Sequence, residues 1–183
     1  MNVLTNSEAC DFVTRNAWSS GLRIHDAEEI SFDSDDASDI RLHYPETPLR
    51  VTYAARLLSL LGCQGDESSF YGALLWLRLC TIGSPQLEKS GWKMVERMRM
   101  GYGELRPLGE GNAHWFRSDE ATDLAAFIVP CFVYGWDAYV LPSGGDCFAF
   151  ISHDEYWSVT ARNRESRDRL LTELTEFKPQ PCG

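Results

Sequence analysis

Apolar residues recur along this chain with two periods, and the alternation between them predicts the elements. Ala9, Phe12, Val13 and Ala17 recur at helical spacing ahead of Gly21, which predicts a helix from about Ser7 to Trp18. In "DIRLHY" the apolar Ile40, Leu42 and Tyr44 alternate with Arg41 and His43, the pattern of a half-buried strand with His43 turned outward. Thr47 and Pro48 read as a cap followed by a first helical residue, and Gly62 as a stop. Between them Val51, Ala54, Ala55, Leu58 and Leu61 form one apolar helical face.

The run "GALLWLRLCTIG" has the length and bounding glycines of a buried strand, a reading preferred to a helix capped by the preceding "DESS". Ser84 and Pro85 repeat the cap-and-proline signal. In the helix they open, Leu87, Met94, Val95 and Met98 face inward, and Lys93, Arg97 and Arg99 are expected in solvent near its carboxyl end. Gly101 and Gly103 end it.

The segment "NAHWFR" reads as a short strand or an extended arm. Ser118, Asp119 and Glu120 then open a helix that is almost wholly apolar from Leu124 and that Pro130 should kink or end. "WDAYVLP" and "CFAFISHD" flank "SGGD", a hairpin signal, and "YWSVTA" follows as a third strand. Alternation sends Cys147, Ala149 and Ile151 to one face and Phe148, Phe150 and Ser152 to the other, so this strand is expected in the sheet interior. Asn163 caps a last helix with Leu170, Leu171, Leu174 and Phe177 on one side, followed by the tail "KPQPCG".

These elements predict an α+β fold over residues 1–183 as a single domain. Its predominantly antiparallel sheet ends in a three-stranded carboxyl-terminal meander, with the helices packed on one face. The stretch "DAEEISFDSDDASD", residues 26–39, holds seven Asp or Glu and no Lys or Arg, with one short strand at Ile30 and Phe32.

Composition narrows the function classes. A formal charge of −10 argues against nucleic acid as the main partner, because gripping phosphates needs clustered Lys and Arg. The four arginines Arg162, Arg164, Arg167 and Arg169 are interleaved with Glu165 and Asp168 and read as an exposed helix face. No export leader and no apolar run of membrane-spanning length is recognisable, which predicts a cytoplasmic location and no membrane partner. The six cysteines lack C-x-x-C spacing and are expected reduced and mostly buried.

Chemistry concentrates in "YGWDAYVLPSGGDCFAFISHDEYW", residues 134–157. Asp137 lies between Trp136 and Tyr139 at the start of a buried strand, where a carboxylate needs a partner or a function. His153, Asp154 and Glu155 are adjacent, so they converge on a metal only if a turn redirects them, and no second His stands at ligand spacing. The expectation is therefore no metal and no cofactor. A thiol triad of Cys131 or Cys147 with His153 and Asp137 has the right residue types but unfavourable neighbours. A second candidate is the loop "RPLGEGNAHWFR", with Arg106, His114, Trp115 and Arg117. The candidate binding residues are thus Trp136, Asp137, Tyr139, His153, Asp154, Glu155, His114 and Trp115.

By size and charge the chain resembles the small bacterial immunity proteins, which bind other proteins without catalysis. That resemblance implies a non-enzymatic protein-binding module whose partner has a basic surface, since opposite charge speeds association. Two alternatives remain open: a small hydrolase or transferase with its site at the hairpin between Trp136 and Tyr156, where His153 must meet a carboxylate, and a small-molecule sensor with an enclosed apolar cavity.

Overall fold

A computed structural model describes residues 1–15, 22–24, 29–44, 46–62, 72–78 and 85–175. The expectations that rest on Ala17, Trp18, Gly21, Cys63, "DESS", Cys80, Ser84, Phe177 and the tail lie outside these residues, as does most of "DAEE".

Nine strands and five α-helices are described: β1 (Asn2–Leu4), α1 (Asn6–Arg15), β2 (Leu22–Ile24), β3 (Ile30–Phe32), β4 (Ser38–His43), α2 (Arg50–Leu60), β5 (Gly72–Leu77), α3 (Pro85–Met100), β6 (Ala113–Arg117), α4 (Ala121–Tyr134), β7 (Ala138–Pro142), β8 (Cys147–Ile151), β9 (Tyr156–Ala161) and α5 (Arg164–Glu173). Seven strands form one sheet in the order β1-β6-β5-β7-β8-β9-β4, and β2 and β3 form a separate two-stranded ribbon. Every pairing is antiparallel. The α+β class and the β7-β8-β9 meander are as the sequence predicts, and "GALLWL" is a strand buried at every position.

One face of the sheet is covered throughout. Leu75, Val140, Ala149, Ile151, Val159 and Leu42 pack there against α2, α4 and α5, with Val95 of α3 at the margin. The other face is covered only in part. Ala9 and Val13 of α1 and Ile30 and Phe32 of the ribbon pack over Leu74, Trp76, Tyr139, Leu141 and Phe148. Alternation on β8 places Cys147, Ala149 and Ile151 in the first core and Phe148 in the second, as a strand buried on both sides requires.

Four local readings are corrected. The chain between Thr47 and Leu49 is a 3-10 turn, so α2 begins at Arg50 with no side-chain cap. Of the expected apolar face Ala54, Leu58 and Leu61 are buried, whereas Val51 is 65% exposed and Ala55 is exposed, and Leu57 and Leu60 complete the buried set. At the start of α4 the Glu120 carboxylate accepts the Arg117 N–H, where Ser118 was expected to cap, and the helix runs through Pro130 to Tyr134. Arg99, expected in solvent, has 0% exposure.

Gly72 opens β5 at φ 155°, where a Cβ would stand 2.3 Å from the Phe116 carbonyl oxygen and 2.6 Å from the Trp115 ring. Gly72→Ala is therefore expected to cost more than about 2 kcal/mol of unfolding free energy in urea titration, since backbone cannot move aside cheaply. Gly109→Ala, with nothing within 4 Å, is expected to stay close to wild type.

Candidate functional site

The eight residues singled out from the sequence fall into separate places. Asp137 immediately precedes β7 and is 4% exposed; His153 lies in the β8–β9 turn with its side chain 46% exposed. One carboxylate oxygen of Asp137, Oδ1, accepts both the His153 backbone N–H at 2.6 Å and the ring Nδ1–H at 2.9 Å. Because a carboxylate only accepts, Nδ1 carries the proton. Nε2 is left 3.4 Å from Asp154 Oδ1. The turn is tight enough to hold Glu155 at φ 62°, and the Glu155 carbonyl accepts the Tyr44 N–H at 3.1 Å. A non-glycine residue in that region costs on the order of 1–3 kcal/mol, which the surrounding hydrogen bonds offset. Asp137 and Asp154 thus meet His153 at different ring nitrogens, and among the described residues no group of three His, Cys, Asp or Glu could hold a metal ion.

The remaining candidates do not join this pair. The Trp136 ring is buried on the helix side and stacks on Tyr134 at 5.5 Å. His114 is buried on that side beside Phe127, whereas Trp115 turns to the opposite face and meets Phe12 at 4.9 Å. The thiols are unsuited to nucleophilic work: burial pushes Cys131 up to about 12 and Cys147 up to about 11, so both are protonated at neutral pH. Cys10, Cys131 and Cys147 form no disulfide.

Tyr139 leads to a feature the sequence did not show. On the partly covered face, beyond the ribbon, an open groove of about 500 Å³ runs over β8, β9 and β4. Alternation builds its floor: Phe148 and Phe150 on β8, Tyr156, Ser158 and Thr160 on β9, and Asp39 and Arg41 on β4 all project to this side. Glu29, Ile30, Ser31 and Phe32 form one wall, and Arg78 contributes a guanidinium. The rings make a continuous stripe, with centroid separations of 5.2 Å for Phe32–Phe148, 4.7 Å for Tyr139–Phe150 and 6.4 Å for Phe150–Tyr156.

Two contacts fix this surface. The Tyr139 hydroxyl accepts the Ile30 N–H at 3.4 Å, tying ribbon to sheet, and burial raises its pKa against the opposing pull of Ile30 and Arg78. The Arg41 guanidinium lies 4.1 Å above the Tyr156 ring, a cation–π geometry. Exposed Asp33, Asp35 and Asp36 stand on the β3–β4 connection, between the groove-lining Phe32 and Ala37. Only the acidic run and the strand alternation were visible in the sequence as signals of this groove; the closure of the ribbon over the sheet was not.

No protein-family model, curated protein or solved structure matches this chain. Among the described residues no helix is long and apolar enough to cross a membrane.

The Asp137 hydrogen bond raises the pKa of His153, partly offset by burial. A folded value above the unfolded one, about 6.5, means that this stabilisation is fully present below the unfolded pKa and is lost as pH rises through the folded value. NMR titration is expected to place His153 above 6.5, with Asp137→Asn returning it toward that value; an unmoved pKa in the variant contradicts the pairing.

Proposed function

We propose that this chain is a non-enzymatic binding module and that the groove over β8, β9 and β4 receives a basic segment of a partner protein. The observation that carries the reading is the half-buried pair Phe150 and Tyr156, where the aromatic stripe emerges from under the ribbon beside acidic residues. Glu29 and Asp39 line the groove, Asp33, Asp35 and Asp36 stand exposed on the connection between its lining residues Phe32 and Ala37, and rings of this kind accept cations on their faces, as Tyr156 does from Arg41. The formal charge of −10 adds long-range attraction for such a partner. The groove is open and bordered by charged and hydroxyl groups, unlike the enclosed apolar cavity that a small-molecule sensor needs.

A hydrolase or transferase reading is favoured by one observation, the orientation of His153 by the buried Asp137, which is the geometry of a general base. Neither residue lines the groove, and the buried thiols are protonated. On this second reading His153→Ala abolishes turnover of activated esters and Tyr156→Ala leaves it intact.

Fluorescence titration with peptides of matched length and differing net charge tests the binding proposal. Basic peptides are expected to bind more tightly than acidic ones. Tyr156→Ala should weaken them by roughly fivefold or more, from the loss of a partly exposed aromatic anchor worth on the order of 1 kcal/mol. Combined Asp33→Asn, Asp35→Asn and Asp36→Asn should slow association and flatten its salt dependence, with His153→Ala unchanged. Equal affinity for acidic and basic peptides overturns the proposal.

A further inference from the structure

Arg99 is the least expected side chain in the molecule. It stands in the last turn of α3 with 0% exposure, and Nε, Nη1 and Nη2 all lack a hydrogen-bond partner among protein atoms. Across from it on β6, His114 is also 0% exposed, with no well-formed hydrogen bond at either ring nitrogen. Burial, and then the charge of Arg99, pushes the His114 pKa down to about 3 against the weaker pull of the Leu75 carbonyl, so the imidazole is neutral and adds no second positive charge beside Arg99.

A guanidinium withdrawn from water with no acceptor is expensive, and buried polar groups in native proteins almost always find partners. The neighbouring carboxylates are engaged elsewhere. Both Glu104 oxygens accept from the Arg106 side chain, at 2.9 and 2.6 Å. Glu96 Oε1 accepts from Trp92 Nε1 at 2.9 Å and from the Leu108 N–H at 3.3 Å. Gly111 lets the main chain pass close to the guanidinium: a Cβ there would stand 3.1 Å from Arg99 Nη2 and 2.6 Å from Val3 Cγ1.

We propose that Arg99 holds a small monovalent anion of the size and charge of chloride between α3, β6 and the Gly101–Asn112 connection. A positive charge calls for an anion in preference to a neutral acceptor. The complete burial of Arg99 and His114 admits only a small, single ion, and Glu96 and Glu104, near enough to act on Arg99 through their charge, disfavour a multiply charged one. The ion then ties the end of α3 to the sheet on the face away from the groove.

Thermal unfolding at fixed ionic strength, with chloride replaced stepwise by gluconate, tests this. Chloride is expected to raise the Tm saturably, by roughly 3 to 6 °C at ten times its dissociation constant, with bromide acting alike. Arg99→Met should remove the dependence. An identical Tm in chloride and gluconate overturns the proposal. Should Arg99→Met not fold, chlorine-35 NMR on the wild-type protein decides: excess line broadening that bromide displaces supports the site, and none contradicts it.

Discussion

The central strands β5, β7 and β8 are apolar on both faces, and the rest of the molecule is arranged by the need to bury both. Four helices cover one face, which accounts for most of the apolar sequence outside the sheet. On the other side α1 and the β2–β3 ribbon reach across β6, β5, β7 and part of β8, as far as the rings of Tyr139 and Phe148. Toward β9 and β4 the same face changes character, to Ser158, Thr160, Asp39 and Arg41, and these polar positions can meet water without a cover. The groove is where the cover stops. Its mixture of rings, hydroxyls and charges follows from lying on the boundary between a face that must be dry and one that can be wet.

The molecule treats buried ionisable groups in two ways. Asp137 is supplied with donors by the turn that faces it, through a backbone N–H and an imidazole N–H on one oxygen, so its local structure is self-sufficient. Arg99 lies opposite a neutral histidine, and the carboxylates near it are occupied by Arg106, Trp92 and the Leu108 N–H. The first arrangement explains itself within the chain; the second calls for something the chain does not contain.

How far the sequence revealed this depended on the range of the interaction. Alternation in "CFAFI" and glycine-bounded "GALLWL" predicted interior strands because each position's burial follows from its neighbours two residues away. The start of α2 was misplaced because a 3-10 turn at Thr47–Leu49 occupied the residues expected to open the helix, while Ala54, Leu58 and Leu61 of its expected face are buried. Arg99 looked solvated because cations suit helix carboxyl ends, and nothing local showed that this end would be buried beside His114. Asp137 and His153 were legible as chemistry, yet their contact spans 16 residues and needed the hairpin register to be known. The groove depends on a ribbon more than 100 residues from the β8 and β9 part of its floor, joined to the sheet through the Ile30–Tyr139 hydrogen bond, which no periodicity encodes.

The most direct measurement is backbone and aromatic NMR shift mapping of the wild-type chain during titration with the tightest-binding basic peptide. If the groove is the recognition surface, the perturbed signals centre on Phe150, Tyr156, Ser158, Thr160 and Arg41, and the Ser152–Glu155 turn stays still. Perturbations confined to that turn, or spread evenly over the acidic surface with saturation never reached, contradict the account.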